Sequence, residues 1–100
     1  MGNERTETIR QEIIRHLENG FMTVRDLSQL VGVMEKEIFH HLEFIEKTIR
    51  SRKKRIGMEP YHCLDCGFKF KNRKKFKKPG RCPKCRDGRI APAILWIESY

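Results

Sequence analysis

Apolar residues recur at helical spacing three times in the first half of the chain, then give way to strand-like runs. Ile9, Ile13, Ile14 and Leu17 fall on one face of a first helix. Thr8 and Gln11 match a capping box at its start, and Asn19-Gly20 is a pair suited to a left-handed C-cap at its end. Phe21-Met22 form a short apolar connection. Thr23 reads as a second N-cap, with Met22 and Leu27 placed as a hydrophobic staple. Val24, Leu27, Leu30 and Val31 then make the inner face of a short helix that Gly32 breaks. A third helix is predicted over residues 34–50, burying Ile38, Leu42, Ile45 and Ile49. A short Thr-capped helix, a Gly turn and a longer helix after a first amphipathic helix is the pattern of a helix-turn-helix; a plain three-helix bundle has the same periodicity.

Residues 56–61 and 90–97 read as two strands, the second carrying Ile94, Leu95, Trp96 and Ile97. A hairpin after the third helix is a wing, and Trp96 is expected as a core anchor packing on the helices. Pro60 and Pro92 sit where a missing ladder donor is tolerated.

Between these strands lies the strongest chemical signal. All four cysteines stand in two pairs, Cys63-Leu64-Asp65-Cys66-Gly67 and Cys82-Pro83-Lys84-Cys85. Two thiolates at i and i+3 in a tight turn grip one ion, and two such turns complete a tetrahedron. Gly67 suits a turn that needs a positive φ, and Pro83 fixes φ in the second turn. Two disulfides are the rival arrangement. No export segment or apolar membrane run is visible, which points to a reducing cytoplasm and favours metal. Four cysteines fill the shell of one structural Zn2+, although four thiolates also accept iron. His62 adjoins the first pair, but a fifth ligand is not needed.

Charge divides the chain. Residues 1–49 hold six Lys/Arg and nine Asp/Glu, a net of −3, while residues 50–100 hold sixteen and four, a net of +12. The second half therefore offers a surface for nucleic acid or another polyanion. No Gly-rich phosphate loop, paired-carboxylate site or nucleophile context is present, so the expectation is a protein that is not an enzyme.

Residues 8–97 together resemble archaeal transcriptional regulators that fuse a winged helix-turn-helix to a rubredoxin-like zinc ribbon. The helical part also resembles ArsR-type winged-helix repressors. The residues carrying this are Thr23-Val24-Arg25-Asp26-Leu27 through Gly32, Ile38 and Leu42, with the knuckles Cys63-x-x-Cys66-Gly67 and Cys82-Pro83-x-Cys85. The resemblance implies an α+β fold: three helices plus a β-hairpin wing, with a four-cysteine ribbon inserted in the wing. The helix-turn-helix part would span 1–57, the ribbon 58–90, and a C-terminal wing strand packing back on the helices 91–100. It also implies a DNA-binding regulator of transcription, and by analogy with ArsR-type proteins a homodimer. One departure is that Arg86 stands after the fourth cysteine, where such knuckles usually place Gly.

The expected groove-reading helix is a poor one. From Met34 to Arg50 four Glu face Lys36, Lys47 and Arg50, a net of −1, and each carboxylate opposes phosphate. The basic residues lie elsewhere. Arg50, Arg52, Lys53, Lys54 and Arg55 are expected to meet phosphate at the wing's base, and Lys69, Lys71, Arg73, Lys74, Lys75, Lys77 and Lys78 from the ribbon, with Lys36 and Lys47 as the helical contribution. Phe68, Phe70 and Phe76 either stack on bases of a single strand or pack over the metal site. The alternative is an adaptor that docks on a protein or RNA of the transcription or translation machinery, with the acidic third helix as contact surface and Phe39 and Phe44 available to it.

Overall fold

A computed structural model describes residues 7–71, 76–86 and 89–100. Three helices come first: α1 (Ile9–Asn19), α2 (Val24–Val31) and α3 (Glu35–Arg50). Both expected caps are present. Thr8 Oγ1 accepts from the Gln11 N–H at 3.1 Å while the Gln11 side chain accepts from the Thr8 N–H at 2.9 Å. Thr23 and Asp26 make the same reciprocal pair at 3.1 and 3.0 Å. At the start of α3, Glu37 accepts from the Met34 N–H at 3.1 Å. These bonds satisfy N–H groups that have no partner inside a helix.

Gly32 closes α2 in the left-handed region at φ 78, donating to Ser28 O at 2.9 Å. Gly20 does not act as a left-handed cap: its φ of 178 is extended. The chain must straighten there because Met22 immediately pairs with a strand, so a left-handed turn would aim it away.

The helices meet over Ile13, Leu17, Val24, Leu27, Val31, Ile38, Leu42, Ile45 and Ile49, all buried. Burying each Leu or Ile contributes about 1.5–3 kcal/mol. Leu30 was expected on this face but is 52% exposed. Val31, one residue on, takes the inward position, and successive helical residues point about 100° apart.

Two six-residue strands, β1 (Lys54–Glu59) and β4 (Ile94–Ser99), pair antiparallel with Ile56 opposite Ile97. Met22 adds a single-residue bridge to Leu95, each N–H donating to the other's carbonyl at 2.9 and 2.7 Å. The result is a small antiparallel sheet against the three helices. The predicted strand over 90–97 is in fact two, β3 (Ile90–Ala91) and β4. Pro92 lies between them and has no N–H to carry a continuous ladder. β3 pairs with β2 (His62–Cys63), so residues 60–93 form an insert between β1 and β4.

Trp96 is not the helix-facing anchor expected from the sequence. Leu95 and Ile97 pack on the helical core, so the alternation of the strand turns Trp96 to the other face. There it lies half-buried over Gly57, meets Phe21 edge-to-face at 5.4 Å and donates from Nε1 to Glu98 at 2.6 Å. A Cβ at Gly57 would stand 2.2 Å from the indole, so the glycine makes room for the ring. Among the described residues no helix is long and apolar enough to cross a membrane.

Candidate metal centre

Each half of the site is built by a short local device. In the first, β2 carries Cys63, the chain turns through Gly67, and it returns alongside itself. Cys63 N–H donates to Phe68 O at 2.8 Å and Phe70 N–H to Tyr61 O at 3.0 Å. Alternation on the returning arm sends Phe68 and Phe70 onto the cysteines and leaves Lys69 and Lys71 exposed. The two rings meet edge-to-face at 5.0 Å. β3 then ties in the far end, with Leu64 N–H donating to Arg89 O at 2.9 Å.

The two knuckles share one backbone geometry. Gly67 N–H donates to Cys63 O at 2.9 Å, and Arg86 N–H donates to Cys82 O at 2.8 Å. Gly67 has φ 78 and Arg86 φ 62, so both residues are left-handed. The departure noted in the sequence is thus a substitution within an unchanged turn, and Arg86 carries the strain that glycine would avoid. A left-handed L-residue costs about 1–2 kcal/mol, and glycine gives back part of that through its freer unfolded chain. Arg86→Gly is expected to stabilise the metal-loaded protein by roughly 0.5–1 kcal/mol, read as a Tm several degrees higher. An unchanged or lower Tm would show that the Arg86 side chain makes compensating contacts.

The four sulfurs converge. All lie within 4.8 Å of one another, with Cys63 and Cys85 Sγ 3.5 Å apart and Cys66 and Cys82 Sγ also 3.5 Å apart. Those separations are far beyond a disulfide bond, so none of the four cysteines is disulfide-bonded. A tetrahedron with Zn–S of about 2.3 Å requires S···S of about 3.8 Å, which the cluster brackets. Cys63 and Cys82 are buried, Cys66 and Cys85 half-buried.

The backbone also prepares the ligands. Burial pushes the Cys82 thiol up, but the N–H groups of Cys85 and Lys84 stabilise its thiolate and bring its pKa down to about 7. Cys66 accepts from the Phe68 N–H, yet burial and the adjoining thiols outweigh this and raise it. A cation would compensate the mutual repulsion of four thiolates, so the donor set, spacing and N–H···S bonds fit one tetrahedral ion held by Cys63, Cys66, Cys82 and Cys85. Four thiolates would leave such an ion no open coordination position and would tie the two knuckles together. Arg89 supports the first knuckle, donating from Nε to Asp65 at 3.1 Å and holding that carboxyl below its ordinary range.

The expected polyanion-binding residues are placed less uniformly. Arg50, Arg52 and Lys53 are exposed where α3 runs into β1. Lys54 is paired with Glu18 at 2.5 Å and Arg55 with Glu98 at 2.7 Å, so both already face carboxylates. Lys69 and Lys71 are exposed on the first knuckle's arm and Lys47 on α3. Arg73, Lys74 and Lys75 lie outside the described residues. Lys36 and Lys77 come together beside α3, whereas Arg52 lines a separate cleft with Arg10 and Arg15 between α1 and α3. His41 is half-buried and accepts from Arg10 Nε at 3.0 Å.

One residue ties the insert to the helices and a second holds it there, and neither drew notice as such in the sequence. Phe76 is buried in the helical core rather than over the metal, and Tyr61 donates its hydroxyl to Phe76 O at 2.6 Å. Base stacking by Phe76 is thereby ruled out in this arrangement. The only advance signal was an aromatic residue in an otherwise Lys-rich run.

Residues 8–56 match the family described as PF0610-like, N-terminal. The whole chain is similar to the solution NMR structure of protein PF0610 from Pyrococcus furiosus, at 26% identity and a TM-score of 0.81, covering 100% of this chain and 97% of that one. No curated protein matches the chain. Neither description names an ArsR-type repressor or a winged helix.

Proposed function

We propose that the chain is a winged helix-turn-helix protein that binds DNA as a regulator of transcription, with most of its affinity supplied by the basic insert and the start of the wing. α2 and α3 form the helix-turn-helix, β1 and β4 the wing, and residues 60–93 a zinc ribbon carried between the wing strands. The observation that carries this reading is the charge division, a net of +12 over residues 50–100 against −3 over residues 1–49. A surface of that kind releases counterions from phosphate and gives affinity ahead of sequence specificity.

The test is a titration of the zinc-loaded protein with random-sequence duplex DNA. If six to ten phosphates are neutralised, affinity is expected to fall by roughly 10³–10⁵ between about 50 and 200 mM salt. Binding that ignores salt, or none at low salt, would sink the reading. The second result would favour an adaptor that docks on protein, a role suited to the exposed Glu35, Glu37 and Glu43 of α3.

A further inference from the structure

Two clefts flank the outward face of α3, and Phe39 lines both. One, of about 260 Å³, has Arg25, Glu35 and Phe39 on the helical side and Tyr61 and Lys78 on the insert side. The other, of about 610 Å³, has Lys36, Phe39, His40 and Glu43 on α3 and Lys77 on the insert. They adjoin at Phe39, and we read them as one groove, with insert residues on the far side of each. Phe76 and Tyr61 fix that wall, since Phe76 is anchored in the helical core directly before Lys77.

This wall changes what α3 can meet. A helix with its side chains is about 10–12 Å across and the major groove of B-form DNA about 12 Å wide. A bare helix already fills that groove, and the clefts set Lys77 and Lys78 beside α3 in addition. The wall also changes the sign of the charge. α3 with Met34 carries a net of −1, but the groove sets Arg25, Lys36, Lys77 and Lys78 against Glu35 and Glu43, a net of +2. Glu35 to Glu43 spans about 12 Å at 1.5 Å per residue, room for about three or four stacked nucleotides at 3.4 Å each.

We propose that this groove binds a single strand of nucleic acid, with a base on Phe39 and phosphates on Lys36, Lys77, Lys78 and Arg25. The proposal rests on the nucleic-acid reading above and names its ligand form at this face. Phe39 is half-buried against the core and also lines both clefts, so the ring is supported from below and within reach of a base. Basic side chains on both sides of an aromatic ring suit unpaired nucleotides, whose bases are free to stack.

The test measures the zinc-loaded full chain with fluorescein-labelled oligothymidine and with mixed-sequence duplex, each across a salt series. Phe39→Leu keeps an apolar side chain on the core and removes the ring. It is expected to weaken oligothymidine binding roughly tenfold or more and to change duplex binding by less than about twofold. Lys36→Gln with Lys77→Gln, both on exposed positions, is expected to weaken the strand and flatten its salt dependence. Because that pair leaves the core intact, a loss shared with Phe39→Leu does not come from unfolding. Salt-dependent binding unaffected by either change would overturn the groove while leaving the broader reading standing. No binding of either ligand at low salt would overturn both. Displacement of oligothymidine by polyglutamate at equal charge concentration, equally sensitive to Phe39→Leu, would assign the groove to an acidic peptide and overturn the proposal.

Discussion

Removing the metal with a strong chelator is expected to unfold residues 60–93 and to turn four protected thiols into four reactive ones. In small zinc peptides the ion contributes about 10–16 kcal/mol of apparent folding free energy, more than the insert's own core can replace. That core is small: Tyr61, Cys63, Cys82, Ile90 and Ala93 are its buried members, and two of the five are ligands. Metal analysis should find one ion per chain, and titration with a thiol reagent should accelerate sharply after chelation. A protein with no bound metal, unreactive thiols and a folded insert would contradict the assignment. Cys82→Ser is expected to mimic chelation, because it removes a fully buried ligand whose thiolate the backbone N–H groups already favour.

The second large effect is expected at Phe76. Phe76→Ala should cost about 3–5 kcal/mol in denaturant unfolding of the metal-loaded protein, the range for emptying a buried aromatic site. Phe76→Leu should cost much less, since it refills most of the volume. The difference arises because Phe76 leaves the insert and packs among the helices, where it is 7% exposed. If Phe76→Ala were as mild as an exposed substitution, the insert would not be docked through this residue, and the groove wall formed by Lys77 and Lys78 would lose its support.

The features legible in the sequence were those set by local rules. Thr8 with Gln11 and Thr23 with Asp26 cap their helices through bonds three residues apart. Ile38, Leu42, Ile45 and Ile49 repeat at helical spacing and are all buried. The paired cysteines pointed to one four-sulfur cluster because i, i+3 turns need little from the rest of the chain. What escaped depended on distant partners. Gly20 is straightened by the Met22 bridge to Leu95, Trp96 faces outward because Leu95 and Ile97 take the inner face, and of the expected inner pair Leu30 and Val31 only Val31 is buried. Phe76 could not be placed because the fifteen residues between Cys66 and Cys82 fix no register against the helices. Arg86 was read as a departure, yet its turn is conserved in shape with that of Gly67, since the hydrogen bond to the first cysteine of the knuckle sets φ whatever the side chain.

The central claim is that the insert, not α3, supplies the phosphate contacts to duplex DNA. It is tested most directly by the salt dependence of duplex binding, compared between the parent protein and Lys69→Gln, Lys71→Gln, Lys77→Gln and Lys78→Gln combined. Each lost phosphate contact lowers the slope of log K against log salt by about 0.9. The combined variant is predicted to lose about three to four units of slope together with most of its affinity, while Lys36→Gln with Lys47→Gln changes duplex binding little. An unchanged slope in the insert variant, with binding lost on neutralising Lys36 and Lys47, would contradict the account and return the contact to α3.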